Sequence, residues 1–429
     1  MDVNIITFGC KVNTYESEII KEKFLEKKFN IVDDYKIADV VVVNTCSVTN
    51  NADNKSKKSI RDIKRDNPSC ILVVCGCMSQ NHQVDLESLG IDILIGNQDK
   101  SKIVELVLNY KMNHEKYINF SNMQDLDFED MQIKKFTGQT RAFIKIQDGC
   151  NNYCSYCIIP YMRGNLRCKD FDKAINEAQE LAKYHQEIVL TGIHTGTYNS
   201  NGKDLVDLIN EMSKIENIKR IRISSIEILE ITEKFLDMLK NNPKVCNHLH
   251  IPLQSGSNTI LKLMNRRYLK EKFLEIVNQI RAVRPDISLT TDLIVGFPGE
   301  TEELFKESKE FCKLINFSKI HVFPFSLRSN TKAEKLPNHI DNKTKKDRVH
   351  EMLKLSLELE EKYYEKFINQ DMEVLIEQYD GKYSIGHTSN YLKVKIAQKL
   401  ENNQFYNVKI TKICQNDVYG TLNDCLIHS

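Results

Sequence analysis

Three cysteines fall within one short stretch, Cys150-Asn-Asn-Tyr-Cys154-Ser-Tyr-Cys157. Thiolates this close can hold three corners of a four-iron cluster and leave the fourth iron without a protein ligand. An open metal position is what chemistry needs, as catalytic zinc sites also show. Zinc itself is the competing reading. It prefers paired Cys-x-x-Cys units and four ligands, which are not evident here. A second trio, Cys10, Cys46 and Cys77, is dispersed in sequence. Each member follows an apolar run that reads as a strand, so all three would sit at carboxyl ends of parallel strands and could converge. Cys75 competes with Cys77, because residues two apart on a strand point to one face.

The elements that must position these thiols read as three segments. At 429 residues the chain is too long for one ordinary domain. Hydrophobic residues at 41% and charged residues at 28% allow large cores. Residues 1–108 predict a parallel-sheet α/β domain. Strands at Asn4–Phe8, Ala38–Asn44, Cys70–Cys75 and Ile91–Ile95 show no alternation, as expected of a sheet covered on both faces. Helices are expected at Tyr15–Lys28, Ala52–Asp66 and from about Gln83. Residues 109–136 show no apolar period and read as a linker.

Residues 137–369 repeat a strand–helix rhythm six times. The strands are Ala142–Gln147, Ile188–Thr191, Arg220–Ser225, His248–Leu253, Ser288–Val295 and Lys319–Phe325. Six such units predict a (β/α)6 sheet curled into a partial barrel, with the active site at the carboxyl ends of its strands. The Cys150 loop follows the first of them. A long helix over Thr344–Asn369 closes the segment. Residues 370–429 change to short alternating strands with Gly and Asn turns, which predicts a small β-barrel.

Several classes are excluded or left open. The N-terminus lacks the basic region and cleavage site of a signal peptide. No apolar stretch reaches the ~18 residues of a membrane helix. A soluble, cytoplasmic protein with no membrane partner is expected. Its 13 cysteines are then better metal ligands, catalytic groups or small core residues than disulfides. Cys70, Cys168, Cys246, Cys312, Cys414 and Cys425 read as core or surface thiols. Gly296-Phe-Pro-Gly299 lacks the Gly-Lys-Ser/Thr of a phosphate loop and reads as a turn.

The net charge of +1 neither suggests nor excludes nucleic acid. Lys55, Lys57, Lys58, Arg61, Lys64 and Arg65 crowd one helix, as a solvated face or a phosphate contact. Arg266-Arg267 reads the same two ways. The last segment has six Lys against seven acids, so RNA binding there would lean on Tyr383, Tyr391 and Asn390. His194, His248 and His250 read as structural.

The Cys150–Cys157 spacing, with Tyr156 before the third Cys and six β/α units after it, resembles the radical S-adenosylmethionine superfamily. The resemblance narrows to the methylthiotransferases. It rests on FGCKVNTYES (Phe8–Ser17), VNTCSVT (Val43–Thr49), CGCMSQ (Cys75–Gln80), RAFIKIQDGCNNYCSYCIIPYMRG (Arg141–Gly164), HLHIPLQSGS (His248–Ser257) and TTDLIVGFPGET (Thr290–Thr301). It spans nearly the whole chain, the last segment resembling the TRAM RNA-binding module, an OB-like barrel.

The resemblance implies two [4Fe–4S] clusters. One lies on Cys150, Cys154 and Cys157 and cleaves S-adenosylmethionine to a 5′-deoxyadenosyl radical. An auxiliary one lies on Cys10, Cys46 and Cys77, in preference to Cys75, and carries the sulfur to be inserted. Cofactor contacts are expected at strand ends: Thr191, Gly192, Ser224, Glu227, Gln254 and Asp292. Their alternative reading is capping and turn chemistry. No catalytic proton-transfer residue is identified. Implied partners are a tRNA anticodon stem-loop, an electron donor such as flavodoxin or ferredoxin, and a sulfur source.

Two family branches act on hypermodified adenosine beside the anticodon, and one on an aspartate of a ribosomal protein. Gly9-Cys10-Lys11-Val12-Asn13 resembles the threonylcarbamoyladenosine branch. The isopentenyladenosine branch tends to Gly-Cys-Gln-Met-Asn and the ribosomal-protein branch to Gly-Cys-Pro-Lys-Asn. The contrasting reading is a non-catalytic RNA-binding protein with structural clusters, for which vacant irons serve no purpose.

Overall fold

The computed structural model describes residues 1–47, 49–81 and 86–422. The chain opens with β1 (Asp2–Thr7), α1 (Lys11–Glu26), β2 (Asn30–Ile31), β3 (Val40–Thr45), α2 (Asn50–Asp66), β4 (Ile71–Gly76), α3 (Cys77–Asn81), β5 (Ile93–Ile95) and β6 (Tyr117–Asn119). These strands form one parallel sheet in the order β2-β1-β3-β4-β5-β6. Both faces are covered, which explains the unbroken apolar runs. Val40, Val42 and Val73 pack toward α1, while Val41, Val43, Leu72 and Val74 pack toward α2.

Two differences from expectation stand out. β2 is only two residues long, too short to show a pattern. The stretch 109–136, expected to be irregular, supplies β6 at the sheet edge and plants Met131, Ile133 and Phe136 in the core of the next unit. The expected start of a helix at about Gln83 falls on residues 82–85, which lie outside the described ones, as do Val48 and Cys425.

The middle of the chain holds β7 (Arg141–Lys145), β8 (Gln147–Asp148), β9 (Arg167–Cys168), β10 (Glu187–Thr191), a small hairpin of β11 (Asn199–Ser200) and β12 (Lys203–Asp204), β13 (Arg220–Ile223), β14 (His248–His250), β15 (Ser288–Val295) and β16 (Lys319–Pro324). The six expected parallel strands are β7, β10, β13, β14, β15 and β16. They pair as β13-β10-β7 and β14-β15-β16, joined by a parallel bridge between Ile221 and Val245. Alternate residues such as Ile144, Ile188, Leu190, Ile223 and Leu289 face the helices. The opposite face is polar. It carries Glu187, Arg222, His248, His250 and Thr290, and it bounds a lumen rather than an apolar core.

Helix Asn342–Glu365 lies along β16. Met352, Leu355 and Leu359 pack on the curled sheet, while Tyr363 and nearby Phe367 enter the core of the last unit. That unit is a closed barrel of β17 (Asp371–Tyr379), β18 (Ser384–Thr388), β19 (Lys393–Ile396), β20 (Phe405–Cys414) and β21 (Asp417–Leu422) in the order β17-β18-β19-β21-β20. It plugs the foot of the lumen. Arg220 donates to the Glu373 and His387 carbonyls (2.7 and 3.0 Å), and Arg141 to the Tyr391 hydroxyl (3.1 Å).

Candidate active site

β8 and β9 form a two-residue ribbon that closes the base of the Cys150 loop. Cys150 N–H donates to the Gly164 carbonyl (3.1 Å). Gly149 sits at φ +72°, and a Cβ there would lie 2.0 Å from the Asn165 carbonyl oxygen, so the base admits only glycine. Ser155 fixes the middle of the loop through its hydroxyl to the Leu263 carbonyl (2.7 Å) and its N–H to the Met264 carbonyl (3.0 Å). Burial, together with Cys154 and Cys150 nearby, pushes the Cys157 thiol up to about 12.

Each remaining thiol has a cationic or polar neighbour. Arg266 donates to Cys154 Sγ (3.4 Å) and pairs with Glu227. His194 Nδ1 lies 3.8 Å from Cys150 Sγ, and its Nε2 pairs with Glu230. Burial alone would lower the His194 pKa. Contacts with Cys150 and Glu230 outweigh it and push the value up to about 10. Among the described residues, no three His, Cys, Asp or Glu side chains close on a point as a single ion requires. Three thiols, two of them with a side-chain donor aimed at the sulfur, suit the anionic ligands of a cluster, whose irons are separate.

The six residues expected to touch S-adenosylmethionine divide between places. Glu227 lines a cavity of about 260 Å³ with Cys154, His194, Glu230 and Arg266. Gln254 and Asp292 line another, of about 190 Å³, with Tyr156, Cys157 and Ile158. Gln254 is at φ +67°, its N–H bonded to the Asp292 carbonyl. Ser224 faces the lumen instead. Thr191 is buried, its carbonyl accepting from Ile146 N–H (2.9 Å). A Cβ on Gly192 would lie 3.0 Å from Gln147 oxygens, so the backbone there is tightly packed.

Sequence reasoning undervalued Arg266 and His194. Arg266 is not on a solvated face, and His194 is no distant core residue. The cation pair and the histidine were visible in the sequence, but no spacing links them to cysteines more than forty residues away.

The other trio lies at one edge of the first sheet. β1, β3 and β4 are adjacent and in register, Thr7 opposite Asn44 and Thr45 opposite Gly76. Cys10 precedes α1, Cys46 follows β3, and Cys77 opens α3. Neighbouring strands are ~4.8 Å apart, so three strand ends span about 10 Å. Gly9, at φ +110°, lies so close to Cys46 that a Cβ would approach its sulfur to 2.8 Å. Asn13 braces both loops by donating to the carbonyls of Phe8 (2.7 Å) and Thr45 (2.9 Å).

Cys75 and Cys77, indistinguishable by alternation, part company here. Gly76, at φ +106°, ends the strand and α3 begins at Cys77. Cys75 points into the apolar core with Val3 and Ile20, where burial lifts its thiol to about 12. Cys77 packs on Ile158 and Met162, and Asn97 Nδ2 lies 3.4 Å from its sulfur.

Helix Ile159–Arg163, directly after Cys157, therefore bridges the trios. Arg163 is fully buried near Cys77 and Cys10. It contacts Glu16 (3.2 Å) and Asp148 (3.1 Å) and donates to Asn13 (2.8 Å). Glu16 also pairs with Lys100 and Lys145, and Asp148 with Lys145 and Arg167. Two carboxylates thus face four cations. The surplus of positive charge lies where anionic thiolates gather.

Two family models match. Residues 144–312 match the radical SAM superfamily, and residues 2–96 match the uncharacterized protein family UPF0004. The threonylcarbamoyladenosine tRNA methylthiotransferase MtaB of Bacillus subtilis is 42% identical, over 90% of this chain and 88% of that protein. The chain belongs to the radical SAM methylthiotransferases. Among other members, MtaB of Aquifex aeolicus is 37% identical over 92% of this chain and 96% of its own length. The tRNA-2-methylthio-N(6)-dimethylallyladenosine synthase of Thermodesulfovibrio yellowstonii is 35% identical over 98% of both. The cobalamin-dependent S-adenosylmethionine radical enzyme OxsB shares the fold. Its TM-score is 0.52 at 12% identity, covering 84% of this chain and 56% of OxsB. As a radical SAM methylthiotransferase, the protein uses a [4Fe–4S] cluster and S-adenosylmethionine. Among the described residues, no helix is long and apolar enough to cross a membrane.

Proposed function

We propose that this methylthiotransferase acts on tRNA, at C2 of N6-threonylcarbamoyladenosine in position 37 beside the anticodon, giving the 2-methylthio derivative. The observation that carries the reading is the pair of cysteine trios facing each other across helix Ile159–Arg163. Cys150, Cys154 and Cys157 hold the reductive cluster. Cys10, Cys46 and Cys77 hold the auxiliary one. Of the six expected contacts, Glu227, Gln254 and Asp292, which line the cavities at the Cys150 loop, contact S-adenosylmethionine. When bound, these cofactors supply the electron, the radical and the sulfur.

The chain's own residues bind, orient and shield. Arg266 and His194 offset thiolate charge at the Cys150 loop. Glu227 and Glu230 offer acceptors beside Cys154. Asn13 and Asn97 brace the auxiliary trio.

The names of the Bacillus and Aquifex relatives support tRNA and this nucleoside. So does Lys11 within Gly9–Asn13. The Thermodesulfovibrio relative keeps isopentenyladenosine as the second reading. The working division is 1–108 for the auxiliary-cluster unit, 109–136 for the connection, 137–369 for the radical unit and 370–429 for a TRAM-like RNA module. The tRNA anticodon stem-loop, a flavodoxin or ferredoxin and a sulfur source are its partners in the cytoplasm.

Nucleoside mass spectrometry of total tRNA, from cells lacking and regaining the gene, tests this. The 2-methylthio-threonylcarbamoyladenosine should vanish and return while the isopentenyl derivative stays constant. If neither nucleoside changes, the tRNA reading fails and an aspartate of a ribosomal protein becomes the substrate to test.

A further inference from the structure

The lumen of the curled sheet holds a cavity of about 300 Å³ between all three units. Lys11 reaches it from the first, Arg222, His248 and His321 from the second, and His387 and Tyr391 from the barrel. Most of its charges are already matched. Arg222 pairs with Glu187 (2.7 Å) and lies over the Tyr391 ring, Lys319 pairs with Glu360 (2.8 Å), and His387 with Glu377 (2.9 Å). Two buried or half-buried groups are not. The Lys11 ammonium has no hydrogen bond or ion pair among the described residues. His248 is buried, and its Nδ1 has no partner among them either.

A relay fixes what His248 offers. In the neutral tautomer that places the His250 Nε2–H on the Asp292 carboxylate (3.3 Å), Nδ1 is bare. The Thr290 hydroxyl therefore donates to His250 Nδ1 (2.9 Å) and accepts from His248 Nε2 (3.1 Å). His248 Nδ1 is left as a lone pair awaiting a donor. The field around it is positive. Burial, with the cations of Arg222 and Lys11, holds His248 well below its usual pKa and hence neutral. Burial alone would raise the Tyr391 phenol, yet Arg141, Lys11 and Arg222 hold it below its usual value.

A cavity with a half-buried open cation, Lys11, a second at exposed Lys393 and one open acceptor suits a ligand bearing a carboxylate and a hydroxyl together. Its position is apt. Lys11 adjoins Cys10, and Asp292, which anchors the relay, also lines the cavity beside Cys157. Its volume is at the lower end of the roughly 300–1,000 Å³ of small-ligand sites. That is room for a substituent while the base stays at the mouth.

We propose that this lumen is the subsite for the threonylcarbamoyl group of the substrate, with Lys11 pairing its carboxylate and His248 Nδ1 accepting from its hydroxyl. The inference rests on the threonylcarbamoyladenosine reading and supplies its physical basis. An isopentenyl group would leave buried His248 Nδ1 and half-buried Lys11 unpaired, which is how a hydrogen-bonding site rejects an apolar analogue.

The test uses the reconstituted holoenzyme and anticodon stem-loop RNAs. These carry threonylcarbamoyladenosine, its carboxamide, its analogue lacking the side-chain hydroxyl, or isopentenyladenosine at position 37. The unaltered protein should bind the carboxylate RNA at least about tenfold tighter than the carboxamide RNA, the lower end for a hydrogen bond to a charged group. Lys11→Gln should bring that ratio near one, and Lys11→Arg should keep it. The ratio is internal, so a general weakening of the fold does not imitate the effect. His248→Phe should abolish the preference for the threonyl group over its analogue lacking the hydroxyl. Equal binding of carboxylate and carboxamide RNAs, with the carboxylate RNA still methylthiolated, overturns the subsite and leaves the substrate reading standing. A ratio that survives Lys11→Gln also overturns it. Conversion of the isopentenyl RNA instead overturns the substrate reading and the subsite with it.

Discussion

Glu16→Gln removes the carboxylate on which α1 and the radical unit converge. Glu16 is fully buried and pairs with Lys100, Lys145 (2.8 Å) and Arg163 (3.2 Å). Lys145 and Arg163 would keep Asp148 as a partner, at 2.9 and 3.1 Å. Lys100, itself fully buried, would keep only neutral acceptors, the introduced amide oxygen and Asn97 Oδ1 at 3.3 Å, and lose its counter-charge. Breaking a buried pair so that one charge is stranded costs about 3–5 kcal/mol. A unit of 150–250 residues loses about 2–4 °C of Tm per kcal/mol. The thermal midpoint should therefore fall by roughly 6–20 °C at pH 7.

The pH dependence gives a second reading of the same group. Burial alone would raise the Glu16 pKa, but Lys100, Lys145 and Arg163 hold it well below the usual range. A carboxyl whose folded pKa is depressed contributes its full stability above the unfolded value of about 4.3, and loses it as the pH falls toward the folded value. The gap between wild type and Glu16→Gln should narrow below about pH 4. Calorimetric scans of both proteins from pH 7 to pH 3 measure this. A shift under about 2 °C at pH 7, or a gap independent of pH, would refute the argument that this network couples the two units.

Alanine at Cys10, Cys46 or Cys77 should each remove about half of the iron bound after reconstitution, whereas Cys75→Ala should keep it all; iron analysis decides. Gly149→Ala forces a Cβ to within 2.0 Å of the Asn165 carbonyl oxygen and should abolish the cluster of the Cys150 loop while sparing the other, read from the spectrum of the reduced protein. Arg266→Gln deletes a donor to Cys154. A hydrogen bond of about 1 kcal/mol corresponds to roughly 40 mV for one electron, so the cluster's midpoint potential should become more negative by that order in a redox titration. Glu187→Gln should weaken docking of the barrel, because Arg222, which donates to the Ser389 carbonyl, loses its partner; limited proteolysis should then cut faster between the units.

The sequence by itself determined the order of the longer strands and helices, the strand-end position of the cysteines of both trios and the chemistry three close thiolates allow. These follow from local rules: periodicity, turn residues and ligand spacing. The valine run of β3 announced a sheet buried on both faces, and the loop after β7 could be placed without coordinates. What only tertiary structure decided is which distant groups meet. Cys75 and Cys77 parted because Gly76 takes a positive φ and ends the strand, a backbone event that alternation does not encode. Arg266 and His194 reached their cysteines through the curl of the sheet. Glu16 and Arg163 met because two units dock. Lys11 marked a branch in the sequence, but nothing local said why. Only the fold sets it in a lumen beside His248, whose Nδ1 has no partner among the described residues, because that lumen exists only where three units close around it.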